Sequence, residues 1–132
     1  MADDPSATGS PRNLGAASDF VGLSIGVGLF NRGLYWEAHE AWEHEWVLDR
    51  QGRDAGFYKG LIQVAAGCLH YGRHNRRGAI NKWRSGAGYL RPYLPVHRRL
   101  RLDALVGSVD AYLAAMDGVG WPDLEMPRIA YE

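Results

Sequence analysis

The chain of 132 residues has a single cysteine, only two lysines and no long uninterrupted hydrophobic run. The lone Cys68 cannot form an intramolecular disulfide, which argues against the small disulfide-rich secreted domains. The longest apolar stretch, residues 20–30, is about half a membrane span and contains three glycines. The first residues lack the basic region and apolar core of a secretory signal. We therefore expect a cytoplasmic protein without a membrane partner.

Acidic residues are missing from one long segment. Residues 55–102 contain ten basic and no acidic side chains, whereas residues 1–54 contain nine acidic and four basic ones. Residues 103–132 are acidic again, with six acids and one arginine. The net charge of zero therefore hides a partition. Acidic and basic helices that face each other, within the fold or across a dimer, explain it. A positive surface for phosphate or nucleic acid explains it as well.

The rest of the composition is that of an ordinary globular domain, with 46% hydrophobic and 23% charged residues. We predict a disordered tail at residues 1–13, one helical domain at residues 14–117 and an extended tail at residues 118–132.

Hydrophobic residues recur at helical spacing, and we find no alternating pattern typical of a strand. They predict helices at about residues 18–30, 34–48, 57–71, 78–91 and 96–116. Ser18 or Asp19 can cap the first helix, and Pro92 and Pro95 end the fourth. The predicted fold class is all-α, a compact bundle of about five helices.

A weak internal repeat is visible in this pattern. A shift of 41 positions aligns Ala38 with Ala79 and Trp42 with Trp83. Gly33 and Tyr35 also resemble the opening of a tetratricopeptide helix pair, but that repeat has a period of 34 residues. The sequence thus predicts two stacked helical hairpins and no peptide-binding superhelix.

Polar residues at helical spacing predict a pocket between the second and third helices. His39 lies at the margin of an inward stripe of the second helix, and Glu43 follows one turn later. Lys59, Gln63 and His70 share a stripe of the third helix, which either faces His39 and Glu43 or faces water. In the first case the ligand pocket comprises Tyr35, His39, Trp42, Glu43, Trp46, Lys59, Gln63 and His70.

Residues 39–43, HEAWE, are one substitution away from the His-Glu-x-x-His zinc motif. His39 and Glu43 can reach one divalent metal such as zinc, with His70 as the third ligand. Glu40 would then be the catalytic base for a metal-bound water. A buried hydrogen-bonded pair of His39 and Glu43 that braces two helices explains the same residues without a metal.

Arginines supply 13 of the 15 basic side chains. Several follow the third helix, where the free amide groups that open the fourth helix also favour anions. The candidate anion-binding residues are Arg73, Arg76, Arg77, Arg84, Arg98, Arg99 and Arg101.

Two motifs resemble a known family. Residues 30–40, FNRGLYWEAHE, with Trp42, Glu43 and Trp46, resemble the signature of the domain of unknown function 309 family, and so do residues 57–66, FYKGLIQVAA, with His70. The resemblance covers about residues 20–95 and implies a small all-helical protein of a family without an assigned activity. It makes a family-pattern set of His39, Glu40, Glu43, Gln63 and His70. His74 departs from the family pattern, which usually has glycine there, so we expect an altered turn.

Three functions fit these observations. The best match is a non-enzymatic binding or structural module built around the His/Glu/Gln cluster. The first alternative is a metal-dependent hydrolase, and the second is a phosphate or nucleic-acid binder, which we do not favour. A homodimer is left open.

Overall fold

A computed structural model describes residues 11–118 and 120–132, with side chains described from residue 21 onward. Five α-helices lie in this part of the chain, which confirms the predicted all-α class. They are α1 (Pro11–Asn31), α2 (Tyr35–Leu48), α3 (Ala55–Gly72), α4 (Arg76–Leu90) and α5 (Leu102–Ala115). A 3-10 turn (Arg91–Tyr93) and two strands, β1 (Val96–His97) and β2 (Leu100–Arg101), separate α4 from α5.

The first helix begins at Pro11, earlier than the predicted cap at Ser18 or Asp19. Residues 11–13 of the predicted disordered tail therefore belong to α1, and the rest of that tail lies outside the described residues. Asn75 caps α4 by accepting a hydrogen bond from the Gly78 backbone amide at 3.0 Å. The turn before it contains His74 with φ of 58°, a conformation that glycine adopts most easily.

The predicted repeat has a structural counterpart. In the first hairpin the Trp42 indole Nε1 donates to the Leu23 carbonyl at 3.2 Å. In the second hairpin the Trp83 indole donates to the Val64 carbonyl, also at 3.2 Å. Both partners shift by the same 41 positions, so α1–α2 and α3–α4 are two copies of one packing arrangement.

Glycines allow this close approach of the paired helices. A Cβ atom on Gly26 would lie 2.1 Å from the Trp42 Nε1, and one on Gly67 would lie 2.3 Å from the Trp83 Cδ1. Since real side chains cannot approach so closely, each indole ring fills the space that a missing Cβ leaves open. These contacts explain why both helices carry glycine within their interiors.

The core lies around α3, as its almost uniformly apolar sequence predicts. Phe57, Leu61, Ala65 and Cys68 are fully buried on this helix. Burial raises the pKa of the Cys68 thiol to about 12, so the thiol is protonated and packs as a small apolar group.

The predicted last helix is wrong at its start. Residues 96–101 form a short antiparallel hairpin in which Val96 pairs with Arg101 and His97 with Leu100. Arg98 and Arg99 at its turn have φ of 48° and 67°, which a right-handed helix cannot contain. The helix therefore starts only at Leu102, whose buried side chain begins the apolar face of α5.

The C-terminal residues return to the first hairpin. The Asn31 amide donates to the Ile129 carbonyl and its oxygen accepts from the Ile129 amide, each at 2.8 Å. Tyr71 donates to the Pro122 carbonyl at 3.0 Å, and Tyr112 donates to the Leu124 carbonyl. These bonds fix the segment after α5 against α1, α3 and α5.

In the described part of the chain, no helix combines the length and the hydrophobicity that crossing a membrane requires.

Candidate metal centre

Three side chains of α2 bring possible metal ligands together. His39, Glu40 and Glu43 each offer a nitrogen or oxygen atom, and these atoms lie within 4.8 Å of one another. Positions 39 and 43 are one helical turn apart, so their side chains leave the same face of α2. Glu40 is adjacent in sequence and reaches them because its side chain, 55% exposed, lies free at the surface.

The His39 imidazole is held in place by a neighbouring ring. It stacks on Trp36 with ring centroids 5.3 Å apart and an interplanar angle of 12°. Its Nδ1 is buried and has no hydrogen-bond partner among the described residues. The Glu40 Oε2 lies 3.9 Å from this nitrogen, beyond hydrogen-bond distance. The predicted bracing pair of His39 and Glu43 is therefore not formed.

An imidazole with two carboxylates is a donor set that suits zinc and similar divalent ions. Ligand atoms bonded to zinc at about 2 Å can be at most about 4 Å apart. The three atoms start within 4.8 Å of one another, so small rotations of the glutamate side chains are sufficient. Because all three ligands come from one helix, water or a partner would fill the remaining positions.

The structure does not bring His70 to this cluster, which corrects the predicted third ligand. The His70 Nδ1 lies 3.0 Å from the Asn75 side-chain amide, beside the start of α4. No hydrogen bond joins His39 or Glu43 to Lys59, Gln63 or His70 in the described part of the chain. The stripe of the third helix is half-buried, and its Lys59 ammonium lies 4.8 Å from the centre of the Trp46 ring.

The predicted ligand pocket divides into separate places. Glu40 and Glu43 line a shallow depression of about 260 Å³ with His44 and Val47. Tyr35 lines a different groove, of about 480 Å³, together with Leu69 and Met126. Trp42 is fully buried and lines neither. Burial, with a smaller contribution from Cys68, raises the pKa of Tyr35 to about 12.

Four of the predicted anion-binding arginines are occupied by the protein itself. Arg76 donates to the Met116 carbonyl at 2.7 Å, and Arg98 binds Asp54. Arg99 donates to the Glu132 carbonyl at 3.3 Å, and Arg101 pairs with Asp103 at 3.0 Å. In the described part of the chain, Arg73, Arg77 and Arg84 make no side-chain hydrogen bond or ion pair.

A second polar cluster was not predicted. Asp54 precedes α3 and is only 8% exposed at its side chain, yet it does not cap the helix. Its Oδ1 lies 2.9 Å from the His97 Nε2, and its Oδ2 accepts from the Arg98 Nε. The hairpin brings His97 and Arg98 to Asp54 across 43 and 44 residues of sequence. A helix was predicted where this hairpin lies, so nothing in the sequence indicated that His97 and Arg98 lie beside Asp54.

Electrostatics in this cluster favour the charged Asp54. Burial by itself raises the pKa of this carboxyl, but the hydrogen bonds from Arg98 and His97 together outweigh it, so the pKa is below its ordinary value. The cluster borders a surface pocket of about 490 Å³ that Arg53 and Tyr93 also line. Since Asp54 is already bound on both oxygens, it joins the hairpin to the start of α3.

The comparisons with known proteins bear on the first hairpin and most of the second. No curated protein matches the chain. Residues 23–81 match the family model described as Domain of unknown function (DUF309). This range contains both motifs and all five polar residues of the family-pattern set, and it ends within α4, before the strands and α5. The predicted resemblance to this family is thus confirmed over residues 23–81.

Proposed function

We propose that this protein is a non-enzymatic binding module that takes up a divalent metal ion at His39, Glu40 and Glu43. The observation that carries the proposal is the convergence of three potential ligand atoms within 4.8 Å on one face of α2. The buried His39 Nδ1, which finds no hydrogen-bond partner among the described residues, supports it, because such a nitrogen is satisfied once it binds a cation.

The arrangement favours binding over hydrolysis. A hydrolytic site needs three protein ligands, an open position and a general base. Without His70, Glu40 must be the third ligand, and then no carboxylate of this cluster is left for the role of base. If Glu40 is the base instead, only two ligands hold the ion. The hydrolase alternative therefore loses either its base or its third ligand.

The test is a titration of the metal-free protein with Zn²⁺ in a calorimeter, repeated with Co²⁺ while its visible absorption is recorded. We expect one equivalent to bind and to stabilise the fold by about 2.7 kcal/mol at a hundredfold excess over the dissociation constant. The variants His39→Ala and Glu43→Gln should weaken zinc binding at least about tenfold. Loss of a residue that only supports a ligand already lowers metal affinity by about this factor, and loss of a ligand should lower it at least as much.

Glu37→Gln is the matched control, since Glu37 is an exposed glutamate of the same helix outside the cluster. Unchanged zinc affinity in His39→Ala would contradict the proposed site. Hydrolysis of a phosphate or carboxylate ester by the zinc-loaded protein, lost in Glu40→Gln while zinc stays bound, would contradict the non-enzymatic role.

A further inference from the structure

The two helices that the 41-residue repeat makes equivalent carry opposite charges on their outer faces. On α2, Trp36, Glu40, Glu43 and Val47 follow one another at spacings of four, three and four residues, which we name the acidic stripe. The equivalent residues of α4 form the basic stripe: Arg77, Asn81, Arg84 and Gly88. The repeat therefore gives one chain two faces of equal length and opposite charge.

The described residues neutralise neither stripe. In the described part of the chain, Arg77, Arg84 and Glu43 have no hydrogen bond or ion pair, and Glu40 approaches only His39. The ion pairs between arginines and acidic residues lie elsewhere in the fold, for example between Arg91 and Asp110 at 3.0 Å. Internal pairing thus accounts for only part of the charge partition in the sequence.

The stripes also match in size. The acidic stripe exposes large apolar side chains at its ends, with Trp36 54% and Val47 46% exposed. The basic stripe ends in Gly88, and no atom of the described residues lies within 4 Å of the position that a Cβ would take there. Because the spacing of four, three and four residues is the same in both directions, the stripes can pair antiparallel. This pairing places Trp36 opposite Gly88, Glu40 opposite Arg84, Glu43 opposite Asn81 and Val47 opposite Arg77.

We propose that the chain self-associates, with the acidic stripe of one copy packed antiparallel against the basic stripe of a second copy. Opposite charges steer the two faces together, and burial of the Trp36 indole supplies the apolar part of the contact. A second copy and a metal ion would compete for the same carboxylates of the acidic stripe. Since both use Glu40 and Glu43, a metal chelator is present in every experiment.

Sedimentation velocity tests the proposal at protein concentrations from about 1 µM to about 1 mM, the range in which weak to moderate association is seen. We expect association at low salt and a loss of affinity of about tenfold or more between roughly 0.1 M and 1 M salt, where the Debye length falls from about 10 Å to 3 Å. A chain that stays monomeric at every concentration would overturn the proposal.

Charge reversal identifies the faces. Glu40→Arg and Arg84→Glu should each be monomeric, since each places like charges opposite one another. Mixed together, the two variants should associate again, because the unaltered Glu40 of one meets the unaltered Arg84 of the other. Asp117→Arg and Arg32→Glu, both exposed outside the stripes, are the matched reversals and should associate like the original protein. Absence of association in the mixture, with both variants folded by circular dichroism, would overturn the pairing.

Gly88→Gln tests the interface without disturbing the fold of the single chain. This substitution meets open space among the described residues of one chain, but it fills the position opposite Trp36. Overpacking there should weaken association about tenfold or more, which corresponds to about 1.4 kcal/mol or more. Gly107→Gln, at an equally open helical position of α5, is the control. A monomeric chain that instead binds RNA or DNA through Arg77 and Arg84 would replace the proposal with a polyanion surface.

Discussion

At the scale of single residues, Asp54 shows how a buried charge is retained in a small helical protein. Its two oxygens are bound by His97 and Arg98, which come from the same hairpin turn. Desolvation of a carboxylate costs free energy, and these charge-assisted bonds offset it. Arg98 has a positive φ, which is a strained backbone conformation for arginine. Its bond to Asp54 is one of the contacts that hold the turn in this conformation.

Asp54→Asn should therefore destabilise the protein in a pH-dependent way. At pH 7 we expect the free energy of unfolding to fall by about 1.5–3 kcal/mol, typical of hydrogen bonds to charged groups. Because the pKa of Asp54 is lower in the folded state than in the unfolded state, its contribution is complete above the ordinary pKa of a free aspartate. It is lost as the pH falls through the folded value.

Urea unfolding of both proteins at several pH values measures this difference, which should shrink below about pH 4. Asp49→Asn is the control, since Asp49 is an exposed carboxylate at the end of α2 without an ion pair in the described part of the chain. A difference that is constant from neutral to acid pH would show that Asp54 acts without its charge.

At the scale of secondary-structure elements, each hairpin is held by an indole ring of one helix lying on a glycine of the other. The two indoles, Trp42 and Trp83, are fully buried. Each also donates a hydrogen bond to a carbonyl of the facing helix at 3.2 Å. The glycine is needed because a Cβ atom would collide with the indole ring. It is not needed for a special backbone conformation, because it lies in an ordinary helical segment.

Gly67→Ala should lower the free energy of unfolding by about 1–3 kcal/mol, the usual cost of overpacking. This loss outweighs the gain of up to about 1 kcal/mol that alanine brings to a helix. Gly28→Ala, where a Cβ meets nothing within 4 Å, should raise stability instead by up to about 1 kcal/mol. Thermal or urea unfolding measures both changes in the free energy of unfolding. If both substitutions changed it in the same direction, the packing explanation would be refuted.

At the scale of the whole molecule, the C-terminal segment is joined to the end of α1. Asn31, the last residue of α1, exchanges two hydrogen bonds with the backbone of Ile129, 98 residues away. Ile129 is buried in the core, and Leu100 forms an isolated bridge with Tyr131. The segment after α5 thus lies between the first hairpin and the β strands and contacts both.

Asn31→Ala should release this segment. We expect a loss of about 1–3 kcal/mol from leaving the buried backbone groups of Ile129 unsatisfied. Limited proteolysis should then cut the segment after α5 sooner, because its local opening becomes easier. Gln51→Ala, an exposed amide in the loop after α2, should change stability by no more than about 0.5 kcal/mol. Equal stability and equal proteolysis of Asn31→Ala and the original protein would argue against this role.

The amino-acid sequence by itself determined the fold class, the repeat and the family resemblance, and it located the helices apart from the starts of α1 and α5. Periodicity is a local property, so each helix could be predicted from its own residues, as with the apolar face of α3. The side chains of His39, Glu40 and Glu43 belong to one helical turn, and their proximity follows from that turn alone.

Only the tertiary structure decided which distant groups meet. The metal hypothesis placed His70 beside His39, but His70 lies at Asn75, since small rotations of packed helices redirect every side chain at their edges. Arg98 and Arg99 were predicted in a helix, because nothing in two arginines signals a left-handed turn. Pairing across the hairpin and the bond to Asp54 select that conformation, and both involve residues that local sequence does not join.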